Sequence, residues 1–237
     1  MLWQEDKKTE AYVVPDTVTD LSFKVDCKMV PLDHAQELSD AILEILPWMA
    51  DEPQAGVHMI HGASTGNGWQ RPEDDTNDGC IYLSRRSRMR IRMPKHRHED
   101  AAALVRQTIR LGGHDLTFGD FQVKKFSPLS TLFSRYVIVG DNESEEAFVS
   151  RVSAEMKEMG INLRKALCGI GHRFNLAEGP VNTMSIMVAD LDPEEAVTLQ
   201  QQGIGEGQKM GFGLFIPHKG IKAVGDMSES SHFDGTA

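Results

Sequence analysis

Cysteine, long apolar stretches and net positive charge are all scarce in this chain. Cys27, Cys80 and Cys168 are the only cysteines in 237 residues. An odd number, widely separated and without a CxxC spacing, offers neither a disulfide framework nor a zinc site, so the three read as buried, reduced thiols. No apolar run approaches the roughly 20 residues of a membrane helix. The N-terminus, Met1-Leu-Trp-Gln-Glu-Asp-Lys-Lys, lacks the charged-then-apolar order of a secretory signal, and the chain is expected in the cytoplasm, without a membrane partner. Among the histidines, His96, His98 and His172 have no carboxylate or cysteine partners at ligand spacing, so no metal and no cofactor are expected. The formal net charge of −10 argues against a protein that coats nucleic acid indiscriminately.

The charge is unevenly distributed. Acids concentrate in Glu73-Asp-Asp75 and between Glu143 and Glu158, whereas Arg85, Arg86, Arg88, Arg90, Arg92, Lys95 and Arg97 follow one another without an intervening acid. A solvated strand face normally mixes the two signs, so this stripe points to phosphate contact. With 40% hydrophobic residues the chain supports one large domain or two small ones. After a polar leader, 1–19, alternation over 19–30 predicts a strand, and Ala35, Leu38, Ile42, Ile45 and Leu46 predict a helix ending near Pro47. The segment 80–84 and the segment 88–93 read as strands, the latter with Met89, Ile91 and Met93 on one face and Arg88, Arg90 and Arg92 on the other. A helix is expected over 98–111, stopped by Gly112-Gly113, and a strand over 114–126. The second half reads as a strand over 133–139, a helix from Asn142 and Glu145 to Met159, a strand over 181–191, a short helix from Asp192-Pro-Glu-Glu, and a closing strand over 212–217. No internal sequence repeat is visible, but the order of elements in both halves predicts an α+β chain of two tandem ferredoxin-like (RRM-like) domains, 20–128 and 129–224, before a polar tail, 225–237.

The most distinctive segment is Gly203-Ile-Gly-Glu-Gly-Gln-Lys-Met-Gly-Phe-Gly213. It is not a Rossmann loop, because Gln208 stands where the third glycine belongs, and it is not a P-loop, which needs Gly-Lys-Ser/Thr. Read from its residues alone, it is either a turn before a final strand or a backbone able to approach phosphate closely through Gly203, Gly205, Gly207, Lys209, Gly211 and Gly213. The pattern resembles the C-terminal glycine-rich loop of the RAMP superfamily. Gly56-Val-His-Met-Ile-His-Gly62, the arginine-rich Leu83–Pro94 and Phe215-Ile-Pro-His-Lys219 are similar to the Myxan-type branch of CRISPR-associated repeat-RNA endoribonucleases. The resemblance implies metal-independent cleavage of a CRISPR repeat transcript, retention of the product as a guide, and transfer to an effector complex.

RNA can be cut without a metal when its 2′-hydroxyl attacks the adjacent phosphate while one group removes a proton and another protonates the leaving oxygen. Histidine suits both tasks at neutral pH. His58 and His61 lie beside a glycine-rich loop, and the resemblance puts the catalytic histidine at His58. If 56–62 is a strand, the two have opposite parity and face opposite sides, one of them toward the core. Asn67 and Trp69 in the following loop are candidates for contacting an unpaired base. Two-histidine phosphodiesterases are disfavoured, because His61-Gly-Ala-Ser64 and His114-Asp-Leu-Thr117 each carry one residue too many. A non-catalytic RNA-binding subunit of an effector complex remains the alternative.

Overall fold

The computed structural model describes residues 12–62 and 79–218. The expected loop with Asn67 and Trp69, most of the leader and the polar tail lie outside the described residues. The described residues form two large sheets, a two-stranded ribbon and three α-helices, the α+β class expected of the chain.

Strand β1 spans Val18–Asp26, with Leu21, Phe23 and Val25 turned into the first core. The expected single strand to residue 30 is broken after Asp26, and β2, Met29–Pro31, leaves the main sheet to pair with β4, Cys80–Tyr82. Helix α1, Ala35–Ile45, buries Ala35, Leu38 and Ile42, and Pro47 opens a 3-10 turn after it. Strand β3 is only Gly56–Val57. Strand β5, Arg88–Pro94, buries Met89, Ile91 and Met93 as the alternation predicts. The helix expected over 98–111 does not form. Short 3-10 turns at Lys95–Arg97 and Asp100–Leu104 precede β6, Thr108–Leu111, and β7, His114–Lys124. Ile109 and Leu111 are buried between exposed Thr108 and Arg110, a period of two, and Gly112-Gly113 is a two-residue hairpin turn with both φ angles positive. The first sheet runs in the order β3-β5-β1-β7-β6, and every neighbouring pair is antiparallel.

The second sheet contains β8, Leu132–Ile138, β9, Lys165–Leu176, β10, Gly179–Ala189, and β11, Ile216–Pro217, in the order β11-β8-β10-β9. Helix α2, Glu145–Glu158, is capped by Ser144 rather than Asn142: the Ser144 hydroxyl accepts from the Ala147 amide at 3.2 Å. Helix α3, Pro193–Gln202, begins with the capping box of Asp192 and Glu195 and with proline in its first turn. Strand β9 gives no sequence signal because it is an edge strand exposed along most of its length. The two sheets have separate cores, and a third cluster of Ala35, Met59, Tyr136, Phe174 and Phe212 joins them.

The glycine segment is folded onto itself. Gly203 and Gly213 are buried. The amide of Ile204 donates to the Gly213 carbonyl at 3.0 Å, that of Phe212 to Gly207 at 3.2 Å, that of Gly213 to Tyr136 at 2.6 Å, and that of Gly205 to the Glu155 carboxylate at 2.8 Å. These amides are spent within the protein rather than held out to phosphate. At Gly213, with φ +66°, a Cβ would stand 1.8 Å from the Ile204 carbonyl oxygen, whereas at Gly205 the space is open. Gly213→Ala is therefore expected to cost more than about 3 kcal/mol in chemical denaturation, against about 1 kcal/mol of backbone strain for Gly205→Ala.

Candidate active site

The segment carrying the two histidines leaves the sheet almost at once. The His58 amide donates to Arg90 at 2.9 Å, continuing the pairing of β3 with β5, but the Ile60 amide donates instead to Nε2 of the buried His34 at 3.0 Å. The Nδ1 of His34 bonds the Pro31 carbonyl at 2.7 Å, so this imidazole ties 58–61 to the start of α1. Because the strand ends at Val57, the parity expectation fails. His58 and His61 both line one cleft of about 450 Å³.

His58 is mostly buried, and its Nε2 lies 3.4 Å from Oδ1 of Asp20 on β1. Burial of Asp20 works to raise its carboxyl, but His58, Arg90 and Arg92 together hold it below the ordinary carboxylate range. Arg90 Nη1 stands 3.9 Å from the second oxygen. Nothing in the sequence marks Asp20, since one acid at a polar position of an alternating strand looks like a solvent contact. Its signal is the register, which sets Asp20 opposite Arg92 and two residues from the position opposite Arg90.

The expected cationic stripe divides into three parts. Arg86, Arg88 and Arg90 line the cleft. Arg85 is exposed beside it and gives its carbonyl to Arg88 at 3.2 Å, while Lys95 pairs with Asp16 at 2.6 Å on the following turn. Arg92 is a correction to the exposed arginine face: it is 1% exposed, and it donates to the Gln200 carbonyl at 2.9 Å and to the Gln208 side chain. Helix α3 and the glycine segment cover this end of β5, which no local alternation can reveal. Of the glycine segment only Gly211 reaches the cleft. Lys209 donates to the Glu52 carbonyl at 2.7 Å, and burial, reinforced by Arg92, depresses its pKa.

The facing wall comes from β8 and the residues near β11. Phe133, Arg135 and Tyr136 line it, with Leu214 and Ile216 beside them. The Arg135 guanidinium carbon lies 5.4 Å from the centre of the Phe133 ring, and Tyr136 stands 6.2 Å from the His61 ring and 5.5 Å from His172. Burial lowers the pKa of Arg135. Sequence reasoning recognised this strand but not its role, although Phe133 and Arg135 two apart were legible as one face. The cleft thus brings two imidazoles and four guanidinium groups around one concave surface, with the Asp20 carboxylate buried behind His58. It can move protons next to a polyanion and stabilise added negative charge.

A family model described as Cas6 Crispr matches residues 19–220. A protein of Myxococcus xanthus (strain DK1622) named CRISPR-associated endonuclease Cas6 is 29% identical over 200 residues, covering 84% of this chain and 80% of that protein. Among solved structures, a Cas6-related protein of Pyrococcus furiosus superposes with a TM-score of 0.56 at 14% identity, covering 84% of this chain and 97% of the other. A structure titled as a RAMP protein binding different RNA substrates gives 0.57 at 15%, covering 84% and 98%. Likeness at this identity shows a common fold, and the family match covers nearly all of the two sheets and the cleft between them: the chain belongs to the Cas6 family of CRISPR-associated endonucleases.

Proposed function

We propose that this protein cuts CRISPR repeat RNA in the cleft between its sheets, without a metal, leaving a 2′,3′-cyclic phosphate. One proton carrier removes the proton of the 2′-hydroxyl, the 2′-oxygen attacks phosphorus, the bond from phosphorus to the 5′-oxygen breaks, and a second carrier protonates that oxygen. His58 is the principal proton carrier in this reading, and His61 takes the other transfer. Arg86, Arg88, Arg90 and Arg135 offset the charge that develops on the phosphate oxygens. The observation that carries the reading is the shared cleft: His58, held against Asp20, opens onto the same surface as three arginines of the acid-free stripe. Asp20 acts as a positioning residue that fixes the orientation of the imidazole.

The architecture that supports this site is read as two tandem ferredoxin-like domains, 20–128 and 129–224. Strand orders β7-β1-β5-β3 and β11-β8-β10-β9 support it, since each is the antiparallel order in which a split βαβ repeat places its four strands. In the first, the 3-10 turns and β6 stand where the second helix would lie. The product stays bound as a guide in the cytoplasm and passes to an effector complex.

Purified protein incubated with the repeat RNA of its own locus in EDTA is expected to give a single cut with a cyclic phosphate end. His58→Ala should slow single-turnover cleavage by roughly 10²- to 10⁴-fold with RNA affinity retained; binding without any cleavage by the unmodified protein would instead make it a guide-holding subunit. If His61→Ala alone abolishes cutting while His58→Ala does not, the assignment of the two histidines is reversed.

Asp20→Asn keeps the shape of the carboxylate and removes its charge. It is expected to reduce the single-turnover rate less than His58→Ala does, with the dissociation constant for RNA within about twofold of the unmodified value, because Asp20 is buried beneath the histidine rather than facing the strand. An unchanged rate would remove Asp20 from the mechanism.

A further inference from the structure

One surface beside the cleft is used by none of the chemistry above. On the second sheet, Leu132, Ile186 and Val188 enter the core beneath the helices, so the alternate residues Phe133 and Met187 point to the opposite, open face. Cys168 packs on that same core, which turns Leu167 to the open face, and buried Phe215 does the same for Ile216. The registers place these four side chains in one row: Ile216 is opposite Phe133, Phe133 opposite Met187, and Met187 opposite Leu167. An apolar stripe therefore crosses all four strands. It starts in the cleft, where Ile216 and Phe133 form part of the wall, and ends at the sheet edge on Leu167, which is 68% exposed.

Two features identify what such a stripe would hold. It opens from a cleft lined by Arg86, Arg88 and Arg90, and Arg135 lies along it with its guanidinium over the Phe133 ring. A ligand that covers the stripe must bring flat apolar surface and repeated negative charge in alternation. Unpaired nucleotides do this, because each base has a π-face and each linkage a phosphate, whereas a paired helix hides its faces and an apolar protein surface brings no charge complementary to a cationic cleft. His218, whose ring meets Phe133 edge-on at 6.1 Å, borders the cleft end of the row.

We infer that the Ile216–Phe133–Met187–Leu167 stripe is a stacking track for unpaired bases of the RNA that leaves the cleft. The inference rests on the reading of the cleft as an RNA site. It makes the segment next to the cut single-stranded, and it assigns Phe133 the first stacking position. Length along the row accommodates more than one base, with Leu167 as the outer contact.

The test uses a short oligoadenylate carrying 2-aminopurine, whose fluorescence is quenched on stacking, and the same strand with abasic sites in place of the central bases. Unmodified protein should quench the probe on binding. Phe133→Ala should abolish most of the quench and weaken binding by roughly 5- to 100-fold, and Leu167→Ser, at an exposed position where folding is not at stake, should give a smaller loss. For the abasic strand both variants should bind like the unmodified protein. Equal weakening on both strands, or unchanged affinity and quench in both variants, overturns the track. Cleavage of the repeat RNA is scored separately: quenching intact without cleavage defeats the catalytic reading and leaves the track standing, and cleavage intact without any effect of the two substitutions on unpaired bases does the reverse.

Discussion

A buried arginine of β5 ties the first sheet to α3 and the glycine segment of the second half. Arg92 carries a charge into a place almost without solvent, a cost offset by acceptors for its Nη1 and Nη2 hydrogens, while its buried Nε has none. Its partners come from the other half of the molecule, the Gln200 carbonyl at the end of α3 and the side chain of Gln208 in the glycine segment. Burial lowers its pKa to about 10, which still leaves it fully protonated at neutral pH, with Asp20 on the neighbouring strand favouring the charge. The glycine at position 56, paired with Arg92 in the register, makes room for it: a Cβ there would lie 3.2 Å from the guanidinium and 3.0 Å from Leu214. The same arginine therefore bonds α3 and the glycine segment and helps keep Asp20 ionised beneath His58.

This dual use explains why the stripe of arginines was legible in part. Alternation correctly places Arg88, Arg90 and Arg92 on one face of β5, and the absence of acids correctly marks that face as unusual. Which of the three meets solvent depends on where α3 and the glycine segment land, a contact between residues more than a hundred positions apart. Strand boundaries show the same division. Helices α1 and α3 announce themselves through periodicity and capping chemistry, because those signals are local. Over 98–111 the apolar residues fit a helix on spacing alone, but Thr108 to Leu111 satisfy a strand as well, and the hairpin partner decides between them. Strand β9 is invisible for the opposite reason: an exposed edge carries no hydrophobic pattern, and only pairing with β10 gives it structure. The histidine pair was misread because its parity argument assumed a strand that stops after two residues, where His34 captures the Ile60 amide.

An overall charge of −10 does not prevent a locally cationic cleft, because Arg86, Arg88 and Arg90 come from a stretch without acids. On α2, Arg151 pairs with Glu155 at 3.1 Å and with Glu143, just ahead of the helix, at 2.9 Å, while the cleft is lined by arginines from both sheets. Uneven charge of this kind focuses a positive field in one groove of an acidic molecule. Arginine suits that groove better than lysine would, since each guanidinium can hold a phosphate through two parallel hydrogen bonds and can also sit over a ring, as Arg135 does over Phe133.

The glycine segment reaches the cleft only at Gly211. Seven of its backbone amides, those of 203, 204, 205, 210, 211, 212 and 213, donate within the protein, so its sequence answers to the demands of a tight fold. Those demands arise from the site nonetheless. A Cβ at position 211 would come within 3.1 Å of both the Met59 amide nitrogen and the Val57 carbonyl oxygen, the two residues that flank His58. Only a backbone without side chains can press so closely there, and once pressed it fixes the segment on which the histidine stands. The motif is thus read as a brace for His58, with Gln208 in the same turn gripping Arg92 and Gly213 bonded to Tyr136 on the opposite wall. A feature that resembles a phosphate cradle in the sequence works in the folded chain as the point where the two walls of the cleft are held in register.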